Sequence, residues 1–339
     1  MNNSFIKHLL LTLIIFSNYS FGKEFEELFT IYVPIENTSK IESSINQSFN
    51  NLVFRISGSK SPSNIWKIIN SGSSRKDFIT SYSIKNINDK SYLEVNFNQN
   101  LVIDKFKKLS IPIIGYSRPV IFFLISVESG SEDPYFISKD STNDIDIYIK
   151  ESLDRLSNER GLFLELPLLD LEDKTFLTNT SILTSPKEYL ISKYDFDEYV
   201  DIKLINLGLK QWLIKGDINT DFNKEFYLED IKQSLDDYLE SLINTTFSDL
   251  KIDTSETLLL EVSIEGINSY EEYEILKEKL SKIIAITNLE ILNLKNDAIT
   301  YKINIMGDIN NFKKSIENNT FFEFLSEKNE NNLSLRFVK

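Results

Sequence analysis

Three carboxylates fall within four positions, at Asp170, Glu172 and Asp173, directly after an apolar run that begins at Arg160-Gly161 and is broken only by Glu165 and Pro167. A second acidic group, Glu128, Glu132 and Asp133, follows another apolar run, PVIFFLIS at 119–126. Oxygen-only ligands of this kind suit Ca²⁺ or Mg²⁺. Paired carboxylates also suit glycoside hydrolysis, one as acid and one as base or nucleophile. If the two apolar runs are neighbouring buried strands, both clusters lie at the carboxyl edge of an open α/β sheet, where ligands bind. A plainer account outweighs this one: Asp170 and Asp173 cap the next turn, and Arg160 and Gly161 end a helix.

Other chemistry is narrowed by what the chain lacks. It has no cysteine, and its single histidine, His8, lies in a segment that reads as an export leader. In that segment, residues 1–22, Lys7 supplies a positive start, Leu9 to Phe16 a short apolar stretch, and Ser20-Phe21-Gly22 a small-residue cleavage site. The exported remainder then has no Ser-His-Asp or Cys-His nucleophile system, no His/Cys zinc site and no disulfide framework. Net charge is −14, and loss of Lys7 makes the remainder more negative still, which disfavours nucleic acid and anionic membrane surfaces. Hydrophobic residues make up 41% of the chain, so it folds around cores of its own.

Stepping along the chain, 23–118 reads as a small α+β domain. LFTIYVPI at 28–35 is a strand, and Ser39 with Glu42 forms a capping box for a helix carrying Ile41, Ile45, Phe49 and Leu52. Ser61-Pro62 opens a second helix, 78–84 and 91–97 form a hairpin through Asn86 to Asp89, and a helix near 100–109 follows. Residues 119–249 read as an α/β domain with the order βαβαββα. Its parts are a buried strand at 119–126, a polar loop from Glu128 to Asp144, and a helix ending at Arg160-Gly161. A second buried strand (LFLELPLL), a helix from Ser185-Pro186, a hairpin at 198–217 turning at Leu207-Gly208, and a helix from Tyr227 to Ile243 follow. Residues 250–339 read as a ferredoxin-like βαββαβ domain: strand 257–265, a helix, strands 287–294 and 299–306 paired across Asn296-Asp297, a helix near 309–317, and LSLRFVK as the closing strand.

Motif order adds a resemblance. Arg160-Gly161 followed by Leu-Pro167-Leu-Leu-Asp170-Leu-Glu-Asp173 resembles the signature of the bacterial envelope family known as domain of unknown function 2066. Arg55-Ile56-Ser57-Gly58, Gly115 with Arg118-Pro119, the Tyr194 to Asp201 region and Trp212 are similar to further family pieces in the same order, over about residues 25–220. The chain has Ile114, Phe122 and Phe123 where the family carries tryptophan. The resemblance implies an exported, gammaproteobacterial protein with no assigned reaction. By element order alone, the central domain is also similar to the amino-terminal domain of TolB.

Weaker motifs fall away. Ser57-Gly58-Ser59-Lys60-Ser61 lacks the spacing of a phosphate loop. Asp217-Ile-Asn219-Thr-Asp221 opens like a calcium loop but has Phe222 and Leu228 at the glycine and glutamate positions. Trp66 and Trp212 read as core or rim aromatics. The expectation is a periplasmic, non-enzymatic binding or scaffold protein. It docks another envelope protein, has no membrane span once the leader is removed, and needs no cofactor. The alternative is a carboxylate-dependent glycan hydrolase, or a Ca²⁺- or Mg²⁺-binding protein, at 170–173. Oligomeric state is left open.

Overall fold

The computed structural model describes residues 23–35, 41–87, 90–130, 132–179, 186–209, 211–218, 226–295, 297–317, 321–329 and 331–338. Residues 1–22, expected to be an export leader, and the residues Ser39, Asp89, Ser185, Asn219, Asp221 and Asn296, used above as caps, turns or ligands, lie outside them. Helix takes about 39% and strand about 37%, in several sheets, so the fold is mixed α/β.

Strand β1 (Lys23–Glu24) leads to β2 (Thr30–Pro34), where Ile31 and Val33 are buried at the two-residue period of a strand. Helix α1 (Ile41–Ser57) buries Ile45, Phe49, Leu52, Val53 and Ile56 at helical spacing. It continues past Leu52, so Arg55 belongs to a helix face. Helix α2 (Pro62–Asn70) is capped by Ser61, whose Oγ accepts from Ser63 N–H at 3.4 Å. Strands β3 (Ile79–Ile87) and β4 (Lys90–Phe97) form the hairpin expected from their alternation, in a sheet ordered β2-β4-β3. Helix α3 (Gln99–Lys108) follows, with Asn98 as its cap.

Strand β5 (Ser117–Arg118) pairs with β1. Strand β6 (Val120–Ser129) is the apolar run expected to be covered on both sides. The expected order βαβαββα is altered by β7 (Glu132–Phe136), which lies inside the stretch read as a polar loop. Helix α4 (Asp144–Arg160) and β8 (Phe163–Glu165) follow. The second buried strand is therefore much shorter than LFLELPLL. Strand β7 occupies the edge of β6 from Ser126 to Ser129 and leaves β8 only Val120 to Phe122. Pro167, which lacks an N–H, could not extend a ladder in any case. Helices α5 (Leu171–Asn179) and α6 (Pro186–Ile191) lead to β9 (Glu198–Gly208), parallel to β6. Then come β10 (Gln211–Gly216), β11 (Phe226–Tyr227) and α7 (Leu228–Ser248). The sheet runs β11-β10-β9-β6-β7, with β8 also on β6. Gly208 pairs with Gln211, so the hairpin turns after Gly208.

The last segment comprises β12 (Thr257–Glu265), α8 (Tyr270–Ser281), β13 (Ile286–Lys295), β14 (Ala298–Met306), α9 (Ile309–Glu317), β15 (Phe322–Asn329) and β16 (Asn332–Phe337). The order is β13-β14-β12-β16-β15. A βαββαβ chain would bring its last strand to β12 directly. Here β15 takes the outer edge, and a hairpin returns β16 between it and β12, parallel to β12.

The apolar cores cut across the linear partition. One cluster holds residues from 28–113 together with residues from 252–337, whereas a second lies within 114–247. Ile113 and Ile252 exchange backbone hydrogen bonds of 3.1 and 2.8 Å, and Thr254 Oγ1 donates to Ile111 O at 3.0 Å. The first and last segments thus share a core, and the central segment is set between them in sequence. Among the described residues, no helix is long and apolar enough to cross a membrane.

Candidate functional site

The two aspartates of the acidic motif bond to each other's backbone. Asp170 Oδ1 accepts from Asp173 N–H at 2.8 Å, and Asp173 Oδ2 accepts from Asp170 N–H at 3.1 Å. This reciprocal pair ties down the first turn of α5, as the plainer reading expected. Asp173 is buried, and its Oδ1 also accepts from Tyr189 Oη at 2.9 Å and from the Lys193 ammonium. Burial pushes this carboxyl up, but the hydrogen bonds from Lys193, Tyr189 and Asp170 N–H outweigh it and hold Asp173 below the usual carboxylate range. Tyr189 stacks on Phe176 of α5 at 4.0 Å between ring centroids. Asp173 therefore latches α5 to α6, and Pro167 O is held by Lys139 N–H at 3.0 Å. Among the described residues, no group of three or more His, Cys, Asp or Glu side chains is placed to hold a metal.

The basic motif residues meet one another instead. Arg55, Arg118 and Arg160 are all buried. Arg118 Nε donates to Gly115 O at 2.7 Å, and its Nη2 to Arg55 O and Ile114 O, both at 3.1 Å. Arg160 bonds Glu240 at 2.8 Å, Asn244 Oδ1 at 2.9 Å and Gly58 O at 3.3 Å. Arg55 Nη1 donates to Glu27 O and Thr30 O at 2.8 Å, and its Nη2 to Asn158 O. The Phe247 ring serves two of them, with the guanidinium carbons of Arg118 and Arg160 at 5.3 and 5.5 Å from its centroid. Burial lowers Arg55 to about 10 and drives Arg118 well below the ordinary arginine range, with Arg55 and Arg160 adding repulsion. Three guanidiniums hold segments 55–58, 114–118 and 158–161 together mainly through backbone carbonyls, which makes this a junction of the fold. Gly161 closes α4 at φ +67, as its motif predicts, but Arg160 reaches across to α7 and not to its own helix end. Pro119 continues the junction, its carbonyl accepting from Phe163 N–H at 3.1 Å.

The crevice expected at the carboxyl edge of the central sheet exists, and 170–173 is not in it. A cleft of about 650 Å³ lies at the ends of β6 and β9, between the amino termini of α4 and α7. Its walls carry the carboxylates Asp133, Asp144 and Glu229, the aromatics Tyr135, Trp212 and Tyr227, and no lysine or arginine among the described residues. Under Tyr135 the carboxyl of Asp146 is buried. Tyr135 Oη donates to its Oδ1 at 3.1 Å, and burial pushes Asp146 up. Glu128, of the same acidic group as Asp133, pairs with Lys203 at 2.5 Å. Leu209 stands at the lip. It is 95% exposed and has φ +52, a left-handed conformation that costs a non-glycine residue about 1–2 kcal/mol. Trp212 is packed in the core with one side on the cleft, while Trp66 is exposed.

Of the residues read as candidates, Arg118, Pro119, Arg160 and Gly161 come together in the junction. Asp170 and Asp173 form a separate latch, and Pro167 lies outside it with its carbonyl on Lys139 N–H. Sequence reasoning missed Glu240 and Phe247, whose spacing on α7 gave no sign of the arginines they meet. It also missed Leu209, an apolar residue in a glycine-led turn. No family model, curated protein or solved structure matches the chain.

Proposed function

We propose that this chain is an exported, non-enzymatic binding protein of the bacterial envelope that docks another envelope protein through the cleft at the carboxyl edge of its central sheet. Leu209 carries the reading. A leucine held at positive φ with its side chain in water gains no packing inside the fold, and strain of this kind is retained where it serves a contact outside. The cleft beneath it offers aromatic faces and three carboxylates, a setting for a partner segment bearing lysine or arginine. Export to the periplasm rests on the leader and on the likeness in motif order to domain of unknown function 2066. The division into an α+β unit, a TolB-like α/β unit and a ferredoxin-like unit rests on element order. The hydrolase or Ca²⁺/Mg²⁺ reading of 170–173 has less support, because Asp170 and Asp173 are engaged with backbone and with Lys193.

The test is in-cell photo-crosslinking from position 227, on the wall of the cleft. A dominant protein adduct that disappears with Leu209→Gly or with the Asp133→Lys/Glu229→Lys pair is expected. Adducts that persist in both variants, or that consist only of abundant bystanders, would remove the cleft from the account.

A further inference from the structure

Strand β3 (Ile79–Ile87) forms one edge of the first sheet, and among the described residues only β4 pairs with it. Its one register shift comes at the start, between Ile79 and Ser81, and from Ser81 to Ile87 the pairing is regular. The free side is therefore a continuous row of backbone donors and acceptors. Most other sheet edges are blunted. Strand β2 ends in Pro34, β7 contains Pro134, β11 is two residues long, and β13 and β15 are each interrupted by two register shifts.

The side chains of β3 also suit a partner strand. Tyr82 stands opposite Val95 and Ile84 opposite Leu93, both fully buried, so Tyr82 and Ile84 lie on the core face of the sheet. They are nevertheless 55% and 47% exposed, so the cover of the core stops short of this edge. The whole chain has 51 acids and a net charge of −14, yet Ile79–Ile87 has no Asp or Glu. Its single charge, Lys85, is turned onto Glu94 of β4 at 3.3 Å. Two copies of so acidic a chain repel over most of their surface, and that repulsion is least along an edge without acids.

We propose that β3 is a dimerisation edge, pairing antiparallel with β3 of a second copy about a two-fold axis at Ser83. Such an axis sets each residue opposite the one equally far on its other side. Tyr82 then faces Ile84 of the second copy and Ile84 faces its Tyr82, aromatic against β-branched both times. Lys85 faces Ser81. With the axis at Tyr82, Ile84 would face Thr80, and with the axis at Ile84, Tyr82 would face Asn86. An axis at Lys85 would set the two ammonium groups against each other. The dimer is one six-stranded sheet, β2-β4-β3 continued by the same three strands of the second copy in reverse order. No residue of β3 lies in the walls of the docking cleft, so each copy keeps its own cleft and the proposal does not depend on the cleft's partner.

The chain has no cysteine, so a single introduced thiol reports the register. Sedimentation velocity on the full chain at up to about 100 µM should show a dimer. Tyr82→Glu, at an exposed position, should weaken it at least ~10-fold with an unchanged melt. Under mild oxidation Ser83→Cys should become a disulfide dimer, because directly opposite residues bring their Cα atoms to about 4.5–5.5 Å, within disulfide reach. Ser81→Cys and Lys85→Cys should each fail to cross-link alone, since each thiol lies roughly 14 Å from its counterpart, and should cross-link when the two variants are mixed. If Tyr82→Glu does not fold, the thiol variants decide alone. A wild type that stays monomeric over that range, a dimer undiminished in Tyr82→Glu, or Ser81→Cys alone cross-linking as fast as Ser83→Cys would each overturn the proposal.

Discussion

A Cβ placed on Gly161 would lie 2.7 Å from Cγ of Arg55 and 2.9 Å from its Cδ, although the two residues stand far apart in the sequence. The helix end after Arg160 and the arginine of α1 are thus fitted to each other, and the arginine stem packs where any other residue would put a side chain. Gly58 makes the same fit on the opposite side of the junction, where a Cβ would come within 2.2 Å of Ile114 Cδ1.

Gly161→Ala should therefore be costly twice, through its φ of +67 and through the displaced arginine. A loss of roughly 2–3 kcal/mol is expected in urea unfolding. Gly72→Ala is the control. It too has positive φ, +83, but meets nothing within 4 Å, so only the backbone cost of about 1 kcal/mol should appear.

Arg118→Met keeps much of the volume and removes the donors. The carbonyls of Arg55, Ile114 and Gly115 then lose a buried partner, each costing up to ~1–3 kcal/mol before relaxation. The relief of repulsion with Arg55 and Arg160 offsets part of this. The expected sign is a net loss, measured by chemical denaturation; a variant more stable than wild type would mean that repulsion outweighs the carbonyl bonds.

Glu240→Gln tests the carboxylate that, among the described residues, forms an ion pair with Arg160. Glu240 also takes the ammonium of Lys60, and its side chain is partly exposed, so solvent screens the pair. A loss of about 2 kcal/mol is expected, most of it from leaving the buried guanidinium without a charged acceptor. Part of the loss should shrink with added salt, because Glu240 and Lys60 are partly exposed, while the part that comes from the buried guanidinium should persist.

Asp173 gives a pH signature. Its folded pKa is held below the unfolded value, so the stability it supplies is fully present above the unfolded pKa, near 3.9, and is lost as pH falls through the folded pKa. Asp173→Asn removes the charge that holds Lys193. The variant should be less stable than wild type at pH 7, and the gap should narrow as the pH is taken from about 5 toward 2. A gap that does not change over that range would show that the latch is not ionic.

Leu209→Gly separates fold from function. Relief of the left-handed leucine outweighs the added chain entropy of glycine, so stability should rise by roughly 0.5 kcal/mol. Partner capture through the cleft should fall. A variant that is less stable would mean that Leu209 packs inside the fold after all.

Local pattern made much of the architecture readable. The alternation of 79–97 announced the β3–β4 hairpin. The apolar run at 119–126 announced a strand covered on both faces, and Gly161 announced the end of α4. Strand β15 was missed although Phe322 and Phe324 alternate, and β7 was hidden in a polar stretch because an edge strand needs few apolar residues. The acidic cluster at 170–173 looked like chemistry because its types and spacing are equally those of a helix cap.

The sequence by itself determined the periods of helices and strands, the caps, and the absence of cysteine and of any histidine beyond His8, since each of these depends on residues close together in the chain or on composition alone. Only the tertiary structure decided that Arg55, Arg118 and Arg160 share one buried junction, that 28–113 and 252–337 form one core, and that Asp133 faces Glu229 and not Asp170. Those relationships depend on long-range packing, where a side chain's partners are set by which surfaces close on one another, and no local spacing encodes that choice.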